Sequence, residues 1–234
     1  MATTIGQIET MVRFRLEEPV AKFWSQNELT DIIAAGIRDL WRDIVDLKQE
    51  HFITISTAVT LDASTATLSS VPSDVHKIIT ITPLDVTESS ANKGLVFRPA
   101  SYVSADFQNS LSRPAIDPQM DTIFYAITAA GGPVGAPTIR VAPQVSSAVS
   151  LSFAYVPTLG AMTSNSTVAV PGECDNALIA WTVAFARGKE REDRAPDPNW
   201  LGVYATEKAH LLKSLDIRQY QEPEFVNAVF ESYW

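Results

Sequence analysis

The chain has 234 residues, 46% of them hydrophobic, and a formal charge of −9 at pH 7. That length and composition allow a substantial buried core and exclude a disordered chain. The acidic balance argues against wrapping DNA or lying on an anionic membrane surface, but it suits a conduit that must not hold a duplex.

Cys174 is the only cysteine, so no internal disulfide is available and the fold is expected not to depend on oxidation. Residues Met1 to Gln7 lack the basic patch and apolar run of a secretory signal. No apolar stretch approaches membrane-spanning length. A soluble chain made in a cytoplasm, with no membrane partner, is the expectation.

Charge divides the sequence. Residues 51–170 hold 7 acidic and 5 basic groups and are rich in Thr, Ser, Val, Ile, Ala and Pro, which suits strands and turns. The flanks hold most of the charge and read as helices.

Thr4-Ile5-Gly6-Gln7 fits a capping box, after which Ile5, Ile8, Val12 and Leu16 share one helical face until Pro19. Ser25 to Glu28 is a second capping box. It opens the strongest helix of the chain, with Leu29, Ile32, Ile33, Ile37, Leu40, Trp41, Ile44 and Leu47 in one stripe. Asp31, Arg38, Asp39, Arg42, Asp43 and Asp46 take the opposite face.

From His51 to Leu61 the period becomes two, which predicts a strand with two different faces. Further strands are predicted over 77–82, 95–98, 122–128, 138–142 and 149–156, with a short helix within 101–110. Gly131-Gly132-Pro133 lacks the lysine and following helix of a phosphate cradle and reads as a hairpin turn.

Helical periodicity returns after Pro171. Ala177, Leu178, Trp181, Ala184, Phe185 and Gly188 make a face rich in small residues. Asp197-Pro198 supplies an N-cap and a proline at the first helical position. Leu201, Tyr204, Ala205, Lys208, Leu211, Leu212 and Leu215 follow on one face, with Lys208 the polar exception. Trp24, Trp41 and Trp181 are read as core anchors. The architecture expected is α+β. N- and C-terminal helices (1–50 plus 171–215) form a bundle, an antiparallel β domain (51–170) is inserted, and 216–234 is an extended C-terminal tail.

The sequence carries no pattern of catalytic residues, no metal-ligand spacing and no cofactor motif. His51, His76 and His210 lie in different elements without metal-ligand spacing. Cys174 sits between Glu173 and Asp175, which raise a thiol rather than activate it. The run from Arg187 to Arg194 reads as a solvated helix end, and in a ring Arg187, Glu190, Arg191 and Asp193 are the candidates for pairing between subunits.

The tail is unusual. It holds 5 of the chain's 21 aromatics in 19 residues and carries a net charge of −3. Pro223 can start a helix in which Phe225, Val226, Val229, Phe230, Tyr233 and Trp234 share a face, with Tyr220 just before it. Such a segment packs on its own subunit or docks in a groove of another chain. Docking on another chain is the reading adopted.

The order of parts now resembles a known family. Trp24-Ser25-Gln26-Asn27-Glu28-Leu29 opens a helix, Val71-Pro72-Ser73-Asp74 leads into a strand, and Pro171 to Leu178 opens a late helix ending in charges. Over about residues 5–215 this is similar to the head-to-tail adaptor proteins of tailed phages, also called connector or tail-tubular proteins. Val71 stands where the family pattern has Leu, and Asn176 separates Asp175 from Ala177. The resemblance implies a structural subunit of a dodecameric ring below the portal protein, joined to a downstream neck or tail protein. It also implies a C-terminal extension reaching the portal through Tyr220, Phe225, Val226, Val229, Phe230, Tyr233 and Trp234. The genomic DNA would pass through the lumen without sequence-specific binding. The place implied is the head–tail interface of the virion, assembled in the host cytoplasm. Two other readings stand beside it: a terminator or gatekeeper ring, and a β-rich ligand-binding module. An enzyme ranks last.

Overall fold

A computed structural model describes residues 3–68, 71–84, 95–113, 122–128, 138–191 and 193–218. It is an α+β fold with helices from both ends of the chain and strands between them. The chain divides into two compact units, one made of Met1–His51 with Ala161–Trp234 and the other of Phe52–Gly160. Residues 161–170 therefore fall with the helices.

In the helical unit, α1 (Ile5–Arg15) begins at a closed capping box. The Thr4 hydroxyl accepts from the Gln7 N–H, and the Gln7 side chain accepts from the Thr4 N–H at 2.9 Å. Helix α2 (Gln26–Lys48) begins at Ser25, whose side chain accepts from the Glu28 N–H. Here the box closes only by half, because the Glu28 carboxylate turns to Lys189, 2.8 Å away. Helix α4 (Asp175–Gly188) and helix α5 (Pro198–Arg218) complete the unit; the short helix α3 (Ala105–Leu111) lies in the other one. Asp197 caps α5, its side chain accepting from the Asn199 N–H.

The contacts fix the directions. Thr3 reaches Asp175 while Arg187 reaches the Arg15 carbonyl, so α1 runs parallel to α4. Trp181 donates to the Ile32 carbonyl and Lys189 pairs with Glu28, so α2 runs against α4. Tyr204 meets Asp39 and Lys48 pairs with Asp216, so α5 runs with α2. Ile5, Ile8 and Val12 of α1, Leu29, Ile33, Ile37, Leu40 and Ile44 of α2, and Leu211 and Leu215 of α5 are all buried. Helix α4 is the middle of the packing. Leu178, Val183, Ala177, Ala180, Ala184 and Ala186 are buried around most of its circumference, as expected of a helix with neighbours on several sides. Gly36 of α2 gives Trp181 its place, since a Cβ there would come within 2.7 Å of the indole.

The second unit holds two sheets. In the first, β7 (Val149–Pro157) is central, with β3 (Val75–Pro83) on one side and β1 (Thr54–Ile55) and β2 (Val59–Leu61) on the other, all antiparallel. The second has β5 (Thr122–Thr128) between β4 (Val96–Pro99) and β6 (Thr138–Ala142). The β5–β6 pair is antiparallel and the β4–β5 pair parallel, which the alternation of residue types does not specify. Val149, Leu151, Phe153 and Tyr155 alternate inward along β7 and join Ile81, Ile123, Tyr125, Ile139 and Val141 in one core. Helix α3 (Ala105–Leu111) places Phe107 against Ala126 and Ala142, covering the other face of the second sheet.

One expected strand is broken. Residues 51–61 do not form a single strand: Gln49–Phe52 is a 3-10 turn, and Ser56 to Ala58 interrupt β1 and β2. The Ser56 hydroxyl accepts from the Phe153 N–H at 2.9 Å, while the Ser56 N–H donates to the Phe153 carbonyl at 2.8 Å. A side chain thus takes one of the hydrogen bonds that a continuous ladder would use.

Candidate functional surfaces

The charged turn after α4 is a built structure. The Arg187 guanidinium donates to the Arg15 carbonyl, lies 3.8 Å from the Asp197 carboxylate and sits over the Trp200 ring. Arg191 and Asp193 make a two-point pair at 3.0 and 3.1 Å. That pair, with the Ala195 N–H, holds the Asp193 carboxyl down at about 2. Glu190 is exposed. Of the four residues expected to pair between subunits, three therefore make contacts within their own chain. Such surface pairs hold local geometry more than they add stability.

A second surface was not foreseen. Behind it lies a buried ion pair, Glu9 with Arg13 at 2.9 Å, and Arg13 also donates to the Trp24 carbonyl. The Glu18 carboxylate accepts the N–H groups of Lys22, Phe23 and Trp24. Burial alone would raise that carboxyl, but these hydrogen bonds and the Arg13 charge outweigh it and lower it. The Trp24 indole is anchored on the Ala186 carbonyl at 3.0 Å. The loop after α1 is thus tied down from inside. Its outside is apolar: Phe14 is 70% exposed, Val20 66%, Phe23 49% and Met11 46%. The signal was available, since Met11 and Phe14 stand three apart on α1 and off the Ile5–Ile8–Val12–Leu16 stripe.

The other polar features are structural. Lys208 reaches Asp39 at 2.7 Å and Asp43 at 2.5 Å, and Tyr204 donates to Asp39. Burial would raise the Asp39 carboxyl, but the hydrogen bonds from Lys208 and Tyr204 and the nearby charges lower it. The same partners outweigh burial at Lys208 and raise it. Burial, then Asp175 and Glu173, push the Cys174 thiol up to about 12, so a thiolate nucleophile is not available there. An open cleft of about 180 Å³ is lined by Glu173, Glu207, His210, Leu211 and Ser214, below the usual size of a small-molecule site. Among the described residues no group of three or more His, Cys, Asp or Glu is placed to hold a metal ion, and no helix is long and apolar enough to cross a membrane.

Tyr220, Phe225, Val226, Val229, Phe230, Tyr233 and Trp234 lie outside the described residues. None of the curated proteins matches the chain. One protein-family model, described as SU10 adaptor protein, matches residues 3–225.

Proposed function

The chain belongs to the SU10 adaptor protein family and is a structural adaptor of a phage particle; from that premise we propose that it forms a ring joining the portal protein to the tail. The match over 3–225 carries this reading. In it, copies of the helical unit stand side by side around the axis as a dodecamer, and a downstream neck or tail protein attaches on the far side. Genomic DNA passes through the lumen without sequence-specific contact. A charge of −9 per chain supports that role, since a strongly cationic wall would retain the duplex.

Arg187, Glu190, Arg191 and Asp193 are proposed to meet the neighbouring subunit, with Glu190 the group of the four that makes no ion pair among the described residues. The C-terminal residues Tyr220, Phe225, Val226, Val229, Phe230, Tyr233 and Trp234 are proposed to reach the portal. Contacts of this polar kind are individually weak, so ring closure is expected to need the portal as template.

Electron microscopy of the purified chain, alone and mixed with portal rings, tests the reading. The expected images show monomers or mixed small species alone, and a closed ring coaxial with the portal in the mixture. A chain that never adds to the portal would refute the role. A stable closed ring in dilute, high-salt solution without portal would refute the templating.

A further inference from the structure

Met11, Phe14, Val20 and Phe23 are exposed apolar side chains on α1 and the loop after it, and buried charged groups tie that loop back to α1 through Arg13 and Glu18. We propose that this surface seats the chain's own residues 219–234 in the unassembled subunit, and that portal attachment draws the segment away. The release step rests on the portal-binding reading above; the seat does not.

Chemical complementarity comes first. Residues 219–234 contain Tyr220, Phe225, Phe230, Tyr233 and Trp234, together with Glu222, Glu224 and Glu231 and no Lys or Arg. The surface offers aromatic rings and cations together. Lys189 lies 4.7 Å from the centre of the Phe23 ring, and Arg15 and Lys22 are exposed. The acids beside it are Glu17 and Glu190, while Arg187 and Lys189 are shared with Asp197 and Glu28. Neither Arg15 nor Lys22 makes a salt bridge among the described residues. On a chain of −9 a rim with free cations is a local exception, and an acidic aromatic segment fits it.

Reach comes second. Lys189 and Phe23 sit by Glu28 at the start of α2, whereas Asp216 sits by Lys48 at its end. The rise of α2 between these points is about 30 Å at 1.5 Å per residue. An extended chain leaving α5 at Arg218 covers about 3.3–3.6 Å per residue, so Phe230, Tyr233 and Trp234 reach the surface with slack and Phe225 falls short of it. A segment tethered at that distance meets its seat at an effective concentration on the order of millimolar, so modest contacts suffice. A seat that is already shaped also avoids the ordering cost on its own side.

The test is photocrosslinking in the full-length chain with p-benzoylphenylalanine in place of Phe230, followed by peptide mapping. The expected product has single-chain mass and joins the segment to residues 7–24. Its yield should fall about fivefold or more in the Phe14→Glu, Phe23→Glu pair, the loss of roughly one aromatic contact's worth of affinity, and should fall likewise when portal rings are added. Both positions are about half or more open to solvent, so the pair is expected to keep its circular dichroism, with Phe14→Ala, Phe23→Ala as the milder variant. Crosslinks elsewhere, a product of two-chain mass, or yields unchanged in both variants would overturn the seat. The Glu pair should sediment with portal at least as well as the parent. If the parent itself does not, the adaptor reading and the release step fail, while the crosslink map still decides the seat.

Discussion

Lys208 interrupts the apolar face of α5 because that face meets two carboxylates of α2. Asp39 and Asp43 look like solvent-facing residues in the heptad of α2, but they stand where α5 crosses, and Lys208 and the Tyr204 hydroxyl satisfy them. A single helix's periodicity cannot reveal a partner that comes from a helix far away in sequence. Lys208→Met is expected to leave two neighbouring carboxylates without their cation. Fully buried pairs lose about 3–5 kcal/mol when one partner goes, and partial exposure here reduces this to about 1–3 kcal/mol, read by urea denaturation at pH 7. The pH dependence has two limbs. Asp39 is lowered in the fold, so its contribution is present above the ordinary carboxylate range near about 4 and is lost as pH falls through its folded value. Lys208 is raised, so its contribution is full below about 10.4 and is lost as pH rises through its folded value. The variant should lose the alkaline limb. Gly36 tests packing at the same scale. Gly36→Ala gains up to about 1 kcal/mol of helix propensity, but its Cβ would stand 2.7 Å from the Trp181 ring. The overpacking cost of about 1–3 kcal/mol should win, with a shift in tryptophan emission as the Ile32 hydrogen bond is disturbed. A variant as stable as the parent would mean that the indole moves aside freely.

At the scale of elements, helices were legible where caps and apolar periods agreed. The stripe of α2 and the caps at Thr4, Ser25 and Asp197 are local signals; the caps at Thr4 and Asp197 form as read, the box at Ser25 closes by half, and the stripe is buried or half-buried from Leu29 to Ile44 but leaves Leu47 exposed. Three features were not local. Helix α4 looked one-faced, yet its alanines are buried on several sides, because small side chains give no sign of which neighbours approach them. The parallel pairing of β4 with β5 follows from the path between them and not from alternation. The break between β1 and β2 depends on Ser56 meeting Phe153, a partner 97 residues away. Of the candidate surfaces, the charged turn was visible in sequence but its internal pairing was not. The exposed apolar side chains of α1 were marked only by Met11 and Phe14 standing off the buried stripe, a faint sign because both residue types are common in cores. The two N-caps give a comparative prediction. Ser→Ala and Thr→Ala at N-caps cost about 0.5–2 kcal/mol. Thr4→Ala should lie towards the upper end, since it opens a box whose two halves are closed, and Ser25→Ala towards the lower. Equal losses in thermal melts would show that the Gln7 half of the box adds nothing.

At the scale of the whole chain, the helical unit buries a core from segments at both ends of the sequence, from Ile5 to Leu215 among the described residues. The last 16 residues concentrate aromatic side chains and acids. Burying one large apolar side chain is worth about 1.5–3 kcal/mol, against about 1–2 kcal/mol of backbone entropy for each residue fixed. A segment with roughly one apolar anchor for every two or three residues is close to balance by itself and needs an existing surface to tip it. On the proposed reading the strongest such surface is the portal, and the face of α1 is the weaker one that holds the segment beforehand. Deleting 220–234 should then leave circular dichroism unchanged and the melting temperature within about 3 °C of the parent, because less than about 1 kcal/mol of weak tethered contact is lost. The same deletion should abolish portal attachment or weaken it at least tenfold. Phe225→Ala with Phe230→Ala should reproduce much of that loss, since two aromatic anchors at about 1.5–3 kcal/mol each exceed the 1.4 kcal/mol of a tenfold change. If the truncated chain binds portal as the parent does, the segment serves some other contact. If truncation lowers the melting temperature by ten degrees or more, it belongs to the helical core after all.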